Sequence, residues 1–151
     1  MKTMFDTNVL VAALCEKHPQ HSLAFPWLRK SKSGEFPLLI AAHCLAECYA
    51  TLTAKAPNFS IPPVAAAEMI NVNFINPSVS IVELSASDYQ SSIQSVASMG
   101  LWSGIIYDAI LARAAQKADV ERLVTFNIKH FLPSLAAGQF DHHVAVIQDH
   151  L

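Results

Sequence analysis

What this chain lacks narrows it first. No stretch approaches the roughly 18 apolar residues of a membrane span, and the apolar start is broken by Asp6 and Asn8, with no charged leader and no small-residue cleavage site. A cytoplasmic protein without membrane contact is expected. Cysteine is scarce: Cys15, Cys44 and Cys48 are odd in number and unsuited to a disulfide framework, in keeping with a reducing compartment. His43 stands beside Cys44, but no second ligand pair follows at zinc-finger or ribbon spacing, and thiols at i and i+4 on a helix read as core filler. Charge is sparse too. It falls on only 15% of residues, with a net value of -2, so any polyanion site must be local. Repeats and low-complexity tracts are absent.

What is present is apolar. Hydrophobic residues make up 52% of 151, enough for one domain spanning 1–151 with its own core and with helices buried on more than one face. Part of that excess is available to a partner surface. Residues 3–5 read as a strand and 7–14 as a short helix. A loop then opens a helix near Pro19 that runs to about Lys32, with Pro26 kinking it or shifting its start. Arg29, Lys30 and Lys32, with His18 and His21 upstream, read as a solvated helix end.

Residues 36–40 are the next apolar run, a buried strand, followed by a helix over 43–54. The prolines in 56–63 demand a loop, and Pro62 and Pro63 open a helix to about Asn73. Residues 80–84 form a strand, and Ser85 or Ser87 caps a helix over 88–98. Gly100 and Gly104 bracket a loop, 105–117 is the clearest helix, 122–126 is a strand, and 144–147 is the last. Strands alternate with helices, the mark of a three-layer α/β fold with a mainly parallel sheet, whose strand C-termini share the edge where ligands bind.

The chemically useful residues collect at that edge. Asp6 ends the first strand, Glu47 lies one turn into the helix after the second, Asp108 begins the helix over 105–117, and Asn127 follows the strand over 122–126. Glu47 in LAECYATL and Asp108 in IIYDAILA are surrounded by small apolar residues. A carboxylate there is unfavourable without a cation or donor. No Arg or Lys lies within a turn of Glu47, and Arg113 is too far along its helix to meet Asp108. A divalent cation is the economical partner, and oxygen ligands select magnesium or manganese. Such a centre hydrolyses phosphodiesters. Each residue also has an ordinary explanation: Asp6 as an N-cap, Glu47 as a core-edge acid, Asp108 as a favourable charge near a helix start, Asn127 as a turn residue.

Four blocks, FDTNVLVA, LAECYATLT, GIIYDAILARAA and LVTFNIKHF, resemble in order and separation the motifs of PIN-domain ribonucleases. The chain length is similar to that of the VapC-like toxins of toxin–antitoxin pairs. The resemblance implies an α/β/α domain in which Asp6, Glu47 and Asp108 bind Mg2+ or Mn2+ and cleave single-stranded or loop RNA. The family's fourth acidic position falls on Asn127, which supplies no charge. Thr7, Asn8 and Thr125 match hydroxyl and amide residues that support the acids. A homodimer and an antitoxin protein are also implied.

An RNA site needs local positive charge, and Arg113, Lys129 and His130 are candidate phosphate contacts. Trp102 reads as a core residue, with base stacking as the alternative. Two further readings compete. A phosphatase with an aspartyl nucleophile, resembling the haloacid dehalogenase family, would carry a second Asp where this chain has Asn8. A non-catalytic PIN-like binding module is kept alive by Asn127.

Overall fold

In the computed structural model, residues 1–55, 59–130 and 143–146 are described here. Part of the expected loop over 56–63, most of the segment after His130, and Ile147 of the last expected strand lie outside them.

Five short strands form one sheet: β1 (Thr3–Phe5), β2 (Leu38–Ala41), β3 (Val79–Val82), β4 (Arg122–Thr125) and β5 (His143–Val146). Their order is β3-β2-β1-β4-β5, and every pair is parallel. The helices are α1 (Thr7–Leu14), α2 (His21–Lys32), α3 (Ala42–Thr53), α4 (Pro63–Phe74), α5 (Ala86–Ser98) and α6 (Ile105–Lys117), with a 3-10 turn at Ile128–His130. The chain steps from β1 to β2 to β3 in one direction across the sheet, then crosses back to β4 and β5. Right-handed crossovers therefore place α1 to α4 on one face and α5 with α6 on the other. The packing agrees: α1 meets α2 and α3, α3 meets α4, and α5 meets α6.

Burial follows from this layering. β1 and β2 are buried along their whole length, as strands covered on both faces must be, whereas β3 at the edge is half-buried. The core runs through Met4, Phe5, Val9, Leu10, Leu38, Ile40, Leu52, Phe74, Leu111 and Leu123.

Element boundaries moved where local chemistry overrode pattern. β2 begins at Leu38 rather than at 36, because Pro37 has no N–H for the ladder; its carbonyl still accepts from the Thr3 N–H at 3.1 Å. Ser85, not Ser87, caps α5: its hydroxyl accepts from the Asp88 N–H while the Asp88 carboxylate reaches back to the Ser85 N–H, a reciprocal capping box. α2 begins at His21, with Pro26 accommodated inside it. Trp102 is not a core residue. It is 86% exposed, because Gly100 (φ 66°) and Ser103 (φ 54°) turn the loop outward around it.

Candidate metal centre

Because β1 and β4 are neighbours whose chains leave in opposite directions, the crevice at their C-terminal ends is the topological switch point of the sheet. Asp6 leaves β1 there, and Asn127 follows β4. A cavity of about 290 Å³ opens at this point, lined by Asp6, Thr7, Asn8, Val11, His18, Thr51, Asp108 and Asn127.

Asp6 occupies the N-cap position of α1 in extended conformation, yet its side chain makes no capping hydrogen bond. Its carboxylate instead accepts from the Thr125 hydroxyl at 2.7 Å, across the β1–β4 pair, in a buried setting. Thr125 Oγ1 also accepts from the Asn127 N–H at 3.0 Å, and more weakly from Asn8 Nδ2 at 3.5 Å. Asn8 Oδ1 in turn takes a long bond from the Phe126 N–H. One hydroxyl thus joins the acid of β1 to the turn after β4.

Glu47 reaches the same region from α3. Thr7 donates to its Oε2 at 2.7 Å, while Oε1 is buried and has no hydrogen-bond partner among the described residues. Glu47 does not itself line the cavity, but Thr7 and Thr51, which do, hydrogen-bond its carboxylate and its backbone carbonyl respectively. A buried carboxylate oxygen left unsatisfied costs free energy that a cation or donor would recover. The oxygen-rich lining and this orphan atom fit a hard divalent ion. His43 and Cys44 lie beside Glu47, and the three offer ligand atoms within 4.8 Å of one another. Burial drives the Cys44 thiol strongly up from its ordinary value, against a hydrogen bond with Thr7 that lowers it; burial pushes Cys48 up to about 12.

Arg113 and the basic cluster of α2 behave differently from their sequence reading. Arg113 is committed to Asp88, with Nε at 3.0 Å and a second guanidinium nitrogen at 2.9 Å, and it also meets Gln116. Lys117 completes this pair from α6 to α5, and it, with Ser85 and Arg113, holds the Asp88 carboxyl well below the usual range. The cluster around Arg29, Lys30 and Lys32 does not stay together with its histidines. His21 bonds the Ala12 carbonyl at 2.8 Å, and His18 goes to the cavity.

His18 is the site residue that sequence reasoning missed. Its Nδ1 accepts from the Gln20 N–H at 3.1 Å, which places the ring proton on Nε2, and burial followed by the neighbouring His21 lowers its pKa. The one signal available was its position between the end of α1 and Pro19. Lys129 is exposed two residues beyond Asn127, and His130 closes the 3-10 turn.

A parallel α/β sheet with acids gathered at its switch point defines a class of domains that bind ions or phosphorylated ligands at that edge. The profile of the PIN domain matches residues 3–132, so this chain belongs to the PIN domain family. No curated protein matches it by sequence. Among solved structures it is similar to the Mycobacterium tuberculosis VapC20, a Sarcin-Ricin loop cleaving toxin, with TM-score 0.67 and 14% identity over 90% of this chain and 95% of that one. VapBC2 from Rickettsia felis, bound to a DNA fragment from its promoter, gives 0.63 and 22% identity, with coverage of 95% and 98%. A toxin-antitoxin complex from Klebsiella pneumoniae gives 0.56 and 18%, with coverage of 86% and 90%.

Proposed function

We propose that this protein is a divalent-metal-dependent ribonuclease that hydrolyses RNA phosphodiester bonds, and that it is the cytoplasmic toxin of a toxin–antitoxin pair. The observation that carries the reading is the switch-point cavity, where Asp6, Asp108 and Asn127 converge and Thr7 ties in Glu47, one of whose oxygens is buried with no hydrogen-bond partner among the described residues. Asp6, Glu47 and Asp108 would hold Mg2+ or Mn2+. When bound, such an ion neutralises phosphate charge and makes a water acidic enough to attack.

The chain's own residues position and select. Thr125 and Thr7 each orient one carboxylate, the role that neighbouring donors play around metal ligands. Asn127 orients a water or substrate oxygen without adding charge, which favours a single tightly held ion. His18, whose pKa burial and the neighbouring His21 lower, would offer its Nε2–H as a donor to a phosphate oxygen. Lys129 and His130 follow Asn127 and suit phosphate contacts. Arg113 stands outside that set because Asp88 already engages its guanidinium. Trp102, fully presented to solvent just before α6, is suited to stacking on an unpaired base. Exposed Val64, Val72 and Ile75 at α4 and Phe25 on α2 support an apolar partner surface, for a second copy or an antitoxin.

The test is cleavage of labelled RNA with Mn2+ or Mg2+ and with EDTA, beside Asp6→Asn and Asp108→Asn. Cleavage that needs metal and is lost in both variants is expected. Metal-independent cleavage, or full activity in both variants, refutes the mechanism. Asn127 favours one other reading, a non-catalytic PIN-like module that binds RNA or protein, and absence of cleavage on several RNAs selects it.

A further inference from the structure

The residues around Glu47 are of two chemical kinds. Toward Asp6 and Asp108 the donors are oxygens, but on α3 itself Glu47 is accompanied by an imidazole and a thiol. Cys44 Sγ lies 3.6 Å from His43 Nε2. With Zn–S near 2.3 Å and Zn–N near 2.0–2.1 Å at the tetrahedral angle, two ligands of one zinc ion stand about 3.6 Å apart. The pair therefore already has the span that a shared ion requires. The three ligand atoms, one of them a Glu47 carboxylate oxygen, fall within 4.8 Å of one another, and Oε1 of that carboxylate is buried with no hydrogen-bond partner among the described residues. Cys44 is buried while His43 and Glu47 are only half-buried, so the cluster is open on the imidazole and carboxylate side.

We propose that His43, Cys44 and Glu47 form a site for a soft or borderline divalent cation of the zinc class, and that its occupation withdraws Glu47 from the oxygen-ligand centre. Spacing by itself gave no zinc site, because no second ligand pair follows His43, Cys44 and Cys48 at finger or ribbon spacing. The third ligand here is a carboxylate one turn along the helix, at i+3 from Cys44 and i+4 from His43, where side chains share a face. Soft ligands select zinc over magnesium, so the same carboxylate serves two ions of different chemistry in competition. Coordination replaces the Cys44 thiol proton, which leaves to solvent. The cation site stands on its own geometry; only the competition rests on the proposed nuclease centre.

The test uses the intact, metal-free chain. Titration with Co2+, a spectroscopic stand-in for zinc, should raise a thiolate-to-cobalt charge-transfer band that one equivalent of Zn2+ abolishes. Cys44→Ala should lose the band, His43→Ala should weaken Co2+ binding by about tenfold or more, and Cys48→Ala should leave it intact. No band in the unaltered chain, or a band that survives Cys44→Ala or is indifferent to His43→Ala, overturns the site. Competition is read by the electron paramagnetic resonance of Mn2+: one equivalent of Zn2+ should release bound Mn2+ from the unaltered chain but not from Cys44→Ala. Zinc binding with no release overturns the competition. Failure of Mn2+ to bind at all would count against the nuclease reading, while the cobalt spectrum still decides the site.

Discussion

Glu47→Gln should make the metal-free protein more stable and the metal-loaded protein less so. In the unaltered chain, Oε2 accepts from Thr7 at 2.7 Å and Oε1 is buried without a hydrogen-bond partner among the described residues. An unsatisfied buried acceptor costs about 1–3 kcal/mol, more when charged. Glutamine keeps an oxygen for Thr7 and removes the charge, so a gain of about 1 kcal/mol is expected in EDTA. For a chain of this length that corresponds to about 2–4 °C in Tm. With metal the balance reverses. At a hundredfold excess over Kd, binding stabilises the unaltered protein by about 2.7 kcal/mol, roughly 5–10 °C, and the variant gains much less. Thermal unfolding by circular dichroism, in EDTA and in saturating Mn2+, should therefore show the two melting curves exchanging order. A variant less stable than the parent in EDTA, or an equal metal-induced shift in both, would refute the assignment of Glu47 as a carboxylate held ready for a cation.

Thr125→Val removes both the donor to Asp6 and the acceptor for the Asn127 N–H; it should lower Mn2+ affinity by about 10–100-fold and stability by about 1–3 kcal/mol, read by metal titration and urea unfolding. Trp102→Ala should weaken single-stranded RNA binding by about 1–3 kcal/mol in fluorescence anisotropy, with Tm unchanged because the ring is exposed; a falling Tm with unchanged binding would contradict the stacking role. Asp88→Asn tests a pH dependence. The folded carboxyl is held below its ordinary value by Lys117, Ser85 and Arg113, so its contribution is complete above the unfolded pKa of about 3.9 and is lost as pH falls through the folded value. The variant should be the less stable at neutral pH and should converge on the parent in acid, as followed by calorimetry across pH.

Some of this molecule was legible in local residue patterns. The helix Ile105–Lys117 was read with its observed ends, and Asp6 was placed at the junction of β1 and α1, because apolar periodicity and strand-to-helix changes are written in adjacent residues. The alternation of the two element types was enough for a parallel α/β sheet. Where a proline or a reciprocal cap intervened, as at Pro37 and Ser85, the boundary shifted by a residue or two, since hydrogen-bond supply outranks hydrophobic pattern there.

Tertiary structure alone decided how those residues are used. Strand order set β1 beside β4, and that adjacency let Thr125 bond an acid 119 positions away and freed Asp6 from the capping role its position suggested. Packing of α5 on α6 brought Asp88 to Arg113 and so removed a candidate RNA contact. The loop after α1 carried His18 into the cavity, and the turn of α3 set His43, Cys44 and Glu47 around one point. A single sequence records which chemical groups are available and how each short segment folds. Which groups meet depends on contacts between distant segments, and those are settled only when the sheet closes and its helices pack.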